Sequence, residues 1–410
     1  MTISIEKEEY QEELFLEYVL KNDKCKLQRN EIYQDYLQKL PLGGEKGLRK
    51  RLSAFDLEYF GRAYLPHYFT RKSPDFHREL NDHWSEGVLK GLDPYKESKN
   101  INKLSGCRRV TAAPRGHAKS TNLTFKGTLH SICYAYKHFI ALLSDSSDQA
   151  EGFISDIKVE LEENSIIRED FGELKGDKWT DSEFITSTNI KIIGIGSGKK
   201  IRGRKHRNWR PDLIILDDVE NDENVNTPEQ RKKLANWFYK AVSKAGDSYT
   251  DIVYIGTMLH YDSLLAKVLK NPSYRSIKYK AIISFAKNDG LWEMWKTIYT
   301  NLDNLDHEHD ALVFFEENKK AMLEGTEVLW EEKLSYYDLM VMKISEGDAA
   351  FNSELQNEPI DPESQMFNEE WFDYYNEAEI DFSEPRFIFI GAIDPSLGKT
   401  KKSDYSTIIV

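Results

Sequence analysis

The chain has 410 residues, 40% of them hydrophobic and 12% aromatic, which is the composition of a globular protein with enough material for two domains. No run of eighteen apolar residues and no basic-then-apolar leader occurs, so the sequence predicts a soluble, cytosolic protein without a membrane span. Three widely spaced cysteines favour neither a disulfide framework nor a zinc site. A net charge of −13 excludes a protein that coats nucleic acid with its whole surface.

Residues 1–60 are rich in charge and show helical spacing. Between Glu9 and Leu20 the apolar side chains fall on one stripe and carboxylates occupy the other positions. This region therefore predicts a helical N-terminal segment.

Phe76 and His77 follow on a predicted amphipathic helix. An aromatic ring beside a polar side chain can stack on an adenine and read its edge. The alternative is that both residues help to pack the helix, and the sequence alone favours that alternative.

The stretch from Val110 to Thr121 predicts a buried strand that turns into a helix. A phosphate-binding loop at such a turn needs converging backbone N–H groups, a lysine for the terminal phosphates and a hydroxyl for Mg²⁺. Lys119 and Ser120 fit the two side-chain roles. The residues predicted to surround the phosphates are Pro114, Arg115, Gly116, His117, Ala118, Lys119, Ser120 and Thr121.

Two features of this loop are unusual. Ala113 and Ala118 stand where glycines are expected, and alanine tolerates a positive φ poorly, so an ordinary strand-turn-helix corner is the alternative. Arg115 places a charge inside the loop, where a guanidinium can reach the γ-phosphate and stabilise its transition state. The alternative for Arg115 is a surface arginine.

From Arg108 onward, short apolar runs alternate with helical stretches. The runs are 139–143, 190–195, 213–216 and 252–256, and this alternation predicts a mostly parallel sheet with helices on its faces, over residues 61–260. Thr227 and Pro228 open a predicted helix that runs to about Lys244.

The run at 213–216 is followed by three acids in four positions. Carboxylates at the end of a buried strand are costly to desolvate unless they hold a cation or activate water. In a nucleotide hydrolase, Asp217 would hold Mg²⁺ through water and Asp218 would polarise the attacking water, with Glu220 as the competing candidate. The alternative is a solvated acidic turn.

The segment 199–210 carries seven Lys or Arg residues among its twelve, so the rest of the chain sums to −20. Such a concentration is typical of a phosphate or nucleic-acid contact. Because the segment follows Gly194, Gly196 and Gly198, it is predicted to be a loop that can deliver an arginine into a neighbouring subunit. A solvated basic loop is the alternative.

The remaining regions lack a chemical signature of their own. Residues 261–350 are predicted to form a small helical lid subdomain, and the proline-containing, acidic stretch 351–385 a linker. Residues 386–410 predict a strand, a turn and the start of a second strand, and a two-stranded hairpin is marginal by itself. We expect the chain to stop early in a domain that is longer elsewhere.

Together, these motifs resemble the large terminase subunit of tailed bacteriophages. The residues that carry the resemblance are 113–120, Arg202–Gly203, 210–218, Gly256–Thr257 and 394–396. The resemblance implies an α/β P-loop NTPase with a mostly parallel sheet flanked by helices, a helical lid, and the start of an RNase H-like nuclease domain. It implies ATP and Mg²⁺ as the nucleotide and metal.

The resemblance also implies roles for individual residues. Ser120 and Asp217 would bind Mg²⁺ and Asp218 would be the catalytic carboxylate, although this position is usually Glu, so the choice between Asp218 and Glu220 stays open. The remaining implied roles are adenine contact near Phe76 and His77, coupling at Gly256 and Thr257, a trans-acting finger at Arg202 or Arg204, and nuclease metal binding at Asp394.

At the level of the whole protein, the resemblance implies a packaging motor in the host cytoplasm. Its partners would be double-stranded DNA, a portal protein and a small terminase subunit, and it would form a homo-oligomeric ring on the procapsid but be monomeric in isolation. Endonuclease activity is expected in a longer protein and not in this chain. The rival interpretations are a helicase-like DNA translocase and a degenerate P-loop assembly scaffold without turnover.

Overall fold

In a computed structural model of the chain, residues 2–21, 25–90, 105–359, 392–394 and 407–409 are described. The chain divides into two units, Met1–Asp361 and Pro362–Val410. The first unit contains the N-terminal helices, the central sheet and the predicted lid. No described helix is long and apolar enough to cross a membrane.

The first unit begins with helices, as the charge-rich, helically spaced sequence predicts. They are α1 (Thr2–Val19), α2 (Lys26–Leu37), α3 (Leu48–Ser53), α4 (Leu57–Tyr64) and α5 (Asp75–Val88). Their apolar stripes join the same buried cluster as one face of the central sheet, so this segment is packed onto the core.

The central sheet has seven strands. They are β1 (Arg108–Ala112), β2 (Phe139–Ser144), β3 (Glu183–Ile185), β4 (Lys191–Gly196), β5 (Leu213–Asp217), β6 (Asp251–Gly256) and β7 (Arg275–Lys278). Their order is β3-β4-β2-β5-β6-β1-β7, and every neighbouring pair is parallel except β3 with β4. The mostly parallel α/β sheet expected from the sequence is thus present, and it extends beyond residue 260 because β7 pairs with β1.

Helices cover both faces of this sheet because successive strand residues point to opposite sides. Leu213 and Ile215 belong to one buried cluster, whereas Ile214 and Leu216 belong to the other. The covering elements are a π-helical turn (Thr121–Phe125), α6 (Lys126–Cys133), α7 (Ser147–Glu163), α8 (Ser165–Phe171), α9 (Asp222–Val225), α10 (Pro228–Lys240), a 3-10 turn (Val242–Lys244) and α11 (Leu264–Leu269).

Helix α10 begins as its sequence predicts. Thr227 caps it, and Thr227 and Gln230 bond to each other's backbone N–H groups. The helix ends at Lys240, before the predicted end at about Lys244, and the last residues form the 3-10 turn instead.

A smaller group of elements follows the sheet and has its own apolar cluster, centred on Trp292, Trp295 and Phe315. The elements are β8 (Ile282–Ser284), α12 (Asp289–Tyr299), α13 (His307–Met322), β9 (Glu327–Val328), α14 (Tyr336–Glu346) and α15 (Asp348–Glu354). This mostly helical group, called the lid subdomain below, begins after the predicted boundary at 261, because α11 and β7 belong with the sheet.

The second unit is described only in β10 (Ala392–Asp394) and β11 (Thr407–Ile409), which pair antiparallel. Of the predicted linker at 351–385, residues 351–354 instead belong to α15, and the residues beyond 359 lie outside the described ones.

A buried ion pair fastens the N-terminal helices to α8. The Asp170 carboxylate is fully buried and accepts hydrogen bonds from Arg49 Nε and Nη2, both at 2.8 Å, from Tyr64 Oη at 2.6 Å and from Gly44 N at 2.6 Å. The neighbouring Glu169 also contacts Arg49, at 2.7 Å, but its side chain is 54% exposed.

Replacing Asp170 with Ala would leave the Arg49 guanidinium buried without its main partner, which should lower the free energy of unfolding by about 3–5 kcal/mol. Glu169→Ala removes an exposed partner of the same guanidinium and should cost less than about 1 kcal/mol. Urea unfolding of both variants measures the difference. Equal losses would show that the pair with Asp170 is not the fastening contact.

Candidate functional site

The ends of three parallel strands meet at one edge of the sheet. Strand β6 lies between β1 and β5, so the segments that follow these strands are neighbours. Ala113 N donates to Gly256 O at 3.1 Å, and Asp218 N donates to Ile255 O at 3.0 Å. The loop 113–120, the acids after β5 and the Gly256–Thr257 corner therefore form one site.

Lys119 and Ser120 contact the two acids directly. Lys119 Nζ lies 3.0 Å from Asp218 Oδ2, and Ser120 Oγ donates to Asp217 Oδ1 at 2.9 Å. The Lys119 side chain is nearly buried and the Asp218 side chain is one-third exposed. The four residues that the sequence analysis assigned to phosphate, Mg²⁺ and catalysis are thus brought together.

Asp217 is suited to hold a cation. Its carboxyl group is buried beside Asp218, and burial first, then the neighbouring charge, raise its pKa above the usual range. Its Oδ2 lies beside the Thr124 hydroxyl. Neither of these two atoms makes a hydrogen bond of good geometry in the described chain. A buried carboxylate oxygen without a well-formed hydrogen bond, next to a serine hydroxyl, fits a hard divalent cation.

Protein side chains alone would not complete such a site. No cluster of three His, Cys, Asp or Glu side chains that could hold a metal ion occurs in the described ranges. Mg²⁺ is commonly held by one or two carboxylates together with waters and substrate phosphates, which matches a site made of Asp217 and Ser120.

Thr257 joins the end of β6 to the acids and to the loop. Its backbone N–H donates to Asp218 Oδ1 at 3.1 Å, and its hydroxyl donates to Ala113 O at 3.3 Å. The predicted coupling residues Gly256 and Thr257 therefore lie between the predicted catalytic acid and the start of the loop.

The backbone of the loop turns through the left-handed region twice, at Gly116 with φ 75° and at Ala118 with φ 57°. Ala113, by contrast, is not among the residues of positive φ. Of the two alanines that replace expected glycines, only Ala118 adopts a conformation that alanine disfavours, at a strain of about 1–3 kcal/mol. Pro114 and His117 are buried, and Thr121 begins the π-helical turn.

The lid subdomain holds the outer side of this loop. Arg115 donates from its backbone N–H to Glu354 O at 2.9 Å, and its Nε lies 2.8 Å from Glu354 Oε2. Lys333 Nζ donates to Gly116 O. The Arg115 side chain, 66% exposed, is thus paired with α15 and not with another group of the loop.

Phe76 and His77 lie beside the loop within an enclosed aromatic cluster. The His77 ring is 4.3 Å from Phe76 and 4.7 Å from Trp330, and its Nε2 donates to His117 O at 3.1 Å. The Phe76 ring lies 5.5 Å from Tyr279. Both side chains are 4% exposed and pack within this cluster, and the adenine contact stays a prediction.

Glu220 points away from the loop. Its carboxylate accepts hydrogen bonds from Leu264 N at 2.6 Å, Leu265 N at 2.8 Å and Tyr254 Oη at 3.0 Å. These contacts satisfy the first N–H groups of α11. Its burial raises its pKa, and its contacts are those of a helix anchor.

Arg202 and Arg204 are exposed on the loop that follows β4. Ile201, fully buried, and Lys199, whose carbonyl accepts from Trp237 Nε1 at 2.8 Å, hold this loop to the core. None of the seven basic residues of segment 199–210 is within ion-pair distance of a carboxylate in the described chain. Asp394 is the last residue of β10, in the second unit, where only its backbone is described.

Sequence reasoning missed three residues at the loop: Trp330, Lys333 and Glu354. They come from the lid, more than two hundred residues after the loop. A tryptophan and a lysine three positions apart are an ordinary surface pattern, so no local signal distinguishes them.

A scan against known protein families finds no match, and neither does a search of curated proteins. Similar solved structures include the large terminase of bacteriophage HK97, with 12% identity over 63% of this chain and 51% of that one and a TM-score of 0.35. Another is the large terminase ATPase domain of Thermus phage P74-26, with 12% identity over 68% of this chain and 98% of that one and a TM-score of 0.37. The chain spans about half the length of the HK97 protein. Both proteins are large terminases, the family that the sequence motifs resemble.

The aromatic cluster makes stability depend on pH. Burial lowers the pKa of His77 to about 3, below the ordinary 6.5 of an unfolded chain. Stability is therefore full above pH 6.5 and falls as the pH drops, because the unfolded chain takes up a proton that buried His77 does not. When the pH falls from about 7 to about 5, the free energy of unfolding should drop by about 2 kcal/mol less in His77→Gln than in the native chain.

Denaturant unfolding at the two pH values measures this difference. His309→Gln, at an exposed position, is the matched control and should keep the native pH dependence. An unchanged pH dependence in His77→Gln would mean that His77 titrates normally in the folded protein.

Proposed function

We propose that this chain is an Mg²⁺-dependent ATPase that drives double-stranded DNA into a phage procapsid, as part of a large terminase subunit. The observation that carries the proposal is the convergence of Lys119 and Ser120 with Asp217, Asp218 and Thr257 at the edge of the sheet. A lysine and a hydroxyl at the start of a helix, facing two acids on a neighbouring strand, form a nucleotide hydrolysis site.

Phosphate binding is assigned to the loop 114–121. Its backbone N–H groups precede the π-helical turn and α6, and the positive end of a helix favours an anion there. The Lys119 ammonium contacts Asp218. A bound phosphate would compete for that ammonium and release the Asp218 carboxylate for catalysis.

Ser120 and Asp217 are assigned to Mg²⁺. The unpaired Asp217 Oδ2 and the Ser120 hydroxyl supply oxygen ligands of the kind this ion takes. When bound, Mg²⁺ neutralises phosphate charge in the transition state.

Asp218 is the better candidate for the catalytic carboxylate. Its side chain is one-third exposed, faces Lys119 and is oriented by the Thr257 N–H, so it can orient and deprotonate water. Glu220 already accepts three hydrogen bonds from α11 and Tyr254, which leaves it a positioning role for the helix. Thr257 contacts both the acid and Ala113 O, which suits it to couple hydrolysis to movement.

Arg115 is assigned to the γ-phosphate. Its side chain is exposed and paired with Glu354, so reaching phosphate requires only the exchange of one anionic partner for another. Phe76 and His77 contribute by supporting the loop through His117.

The exposed basic loop supports the proposal for the larger assembly. Segment 199–210 offers positive charge without carboxylate partners in the described chain, which suits it to DNA phosphates or to a neighbouring subunit's nucleotide. Arg202 or Arg204 would act in trans within a homo-oligomeric ring on the procapsid, in the host cytoplasm. The portal protein, the small terminase subunit and a nuclease centre including Asp394 belong to the same proposal.

ATP hydrolysis with Mg²⁺, across a series of protein concentrations, tests the proposal. The native activity should rise faster than linearly with concentration, because an arginine supplied in trans contributes about 10³–10⁵-fold. Lys119→Ala should abolish turnover, and Asp218→Asn should lower it about 10²–10⁴-fold, the usual contribution of a general base. Removing Mg²⁺ with a chelator should abolish activity.

Glu220→Gln is the matched control for the acid. It should keep turnover within a few-fold of native but lower the melting temperature, since one amide oxygen replaces a carboxylate at the start of α11. The opposite pattern, with Glu220→Gln inactive and Asp218→Asn active, would overturn the assignment. ATP binding without turnover, even with DNA and procapsid present, would favour the assembly scaffold.

A further inference from the structure

A buried lysine lies directly behind the phosphate loop. Lys126, at the start of α6, is 1% exposed, and its Nζ donates to Asn81 Oδ1 and to Asn122 Oδ1, both at 2.8 Å. The ammonium also lies 4.8 Å from the centre of the Phe69 ring. No carboxylate in the described chain is within ion-pair distance of it.

The surrounding helices leave room for this side chain. A Cβ at Gly61, on α4, would come within 2.8 Å of Lys126 Cδ. Only a residue without a side chain lets α4 pass this closely to the lysine stem.

A buried lysine without a carboxylate partner is costly. Burial lowers the pKa of Lys126 to about 7, because the charged form is poorly solvated there. An apolar side chain of the same length would avoid that penalty. Lys126 thus breaks the rule that a buried charge is paired with an opposite charge. Such an exception next to a binding loop indicates a function for the residue.

The lysine fixes the orientation of one amide group. Because an ammonium only donates hydrogen bonds, Asn122 must turn Oδ1 toward Lys126 and its NH₂ group the other way. Asn122 Nδ2 then donates to Ala118 O at 3.1 Å, and Asn122 N donates to the same oxygen at 3.0 Å. The carbonyl held by these two bonds belongs to the alanine with φ 57°.

The local helix geometry supports this arrangement. Asn122 lies in the π-helical turn, which closes with a hydrogen bond from Lys126 N–H to Thr121 O, five residues earlier. Such turns are rare, and they occur frequently at functional sites.

We propose that Lys126 and Asn122 are positioning residues that hold the phosphate loop in its left-handed turn at Ala118. Glycine adopts this conformation freely, whereas alanine is strained in it. The hydrogen bonds from Asn122 to the Ala118 carbonyl hold the strained residue in place. Assigning a nucleotide to the loop rests on the proposed function, but the effect on the loop's conformation does not. The two parts are therefore tested by separate measurements.

The first measurement is amide hydrogen exchange of the full chain without nucleotide. Lys126→Met removes the donors but keeps the length of the side chain, and it should speed exchange in residues 115–122 about tenfold, the consequence of a strained turn that opens more often. Exchange in α10 should not change. The melting temperature should change little, because losing the buried ammonium offsets the cost of leaving Asn81 Oδ1 and Asn122 Oδ1 without that donor.

The second measurement is binding of a fluorescent ATP analogue with Mg²⁺. Lys126→Met should bind about tenfold more weakly, and adding Ala118→Gly to it should restore both the affinity and the slow exchange, because glycine needs no support in this turn. Lys158→Met, at the other end of the sheet near β3, is the matched control and should behave as the native chain. Asn122→Ala repeats the test if Lys126→Met does not fold.

Native exchange and affinity in both Lys126→Met and Asn122→Ala would overturn the inference. So would a loss of melting temperature with faster exchange throughout the chain, or a double variant no better than the single one. If the native chain does not bind the analogue, the proposed function fails, and the exchange data still decide the role of Lys126.

Discussion

Two adjacent carboxylates at the end of a buried strand repel each other, and the site is arranged around that repulsion. Asp217 is buried and Asp218 is one-third exposed, so solvent screens their repulsion only in part. Lys119 is the cation within reach, which requires the loop after β1 to stand opposite the end of β5. The strand order, with β6 between them, sets that spacing and brings Thr257 into the gap.

The loop shows why a sequence pattern and a conformational requirement are different things. Two alanines replace expected glycines, yet they are not equivalent. Ala113 continues from a strand and needs no unusual φ, whereas Ala118 stands in the left-handed region. A loop that departs from its usual pattern is thus tolerable where the backbone is ordinary, and it needs support from its neighbours where the backbone is strained.

Much of the fold can be predicted from the sequence, and so can the half of the site formed by the loop and the acids. Both depend on local sequence signals and on the rule that parallel strands end at the same edge of a sheet. Apolar runs mark the strands, and parallel strands bring their carboxyl ends to one edge, which is enough to place Lys119 and Ser120 beside Asp217 and Asp218. The rest depends on packing between distant segments. Nothing near Glu220 in the sequence indicates that the first N–H groups of α11 will donate hydrogen bonds to its carboxylate.

The outer half of the site could not be predicted from the sequence either, because Trp330, Lys333 and Glu354 contact the loop from the lid. Their contact with it also sets an order in time. Strand β1 cannot be enclosed until β6 and β7 exist, and the loop has no outer wall until residue 354 has been made. At roughly 5–20 residues per second, a ribosome needs tens of seconds or less to synthesise the chain from the loop to residue 354. During that time the loop lacks the lid contacts that enclose it, so the nascent chain exposes the loop to solvent and its strands to mispairing.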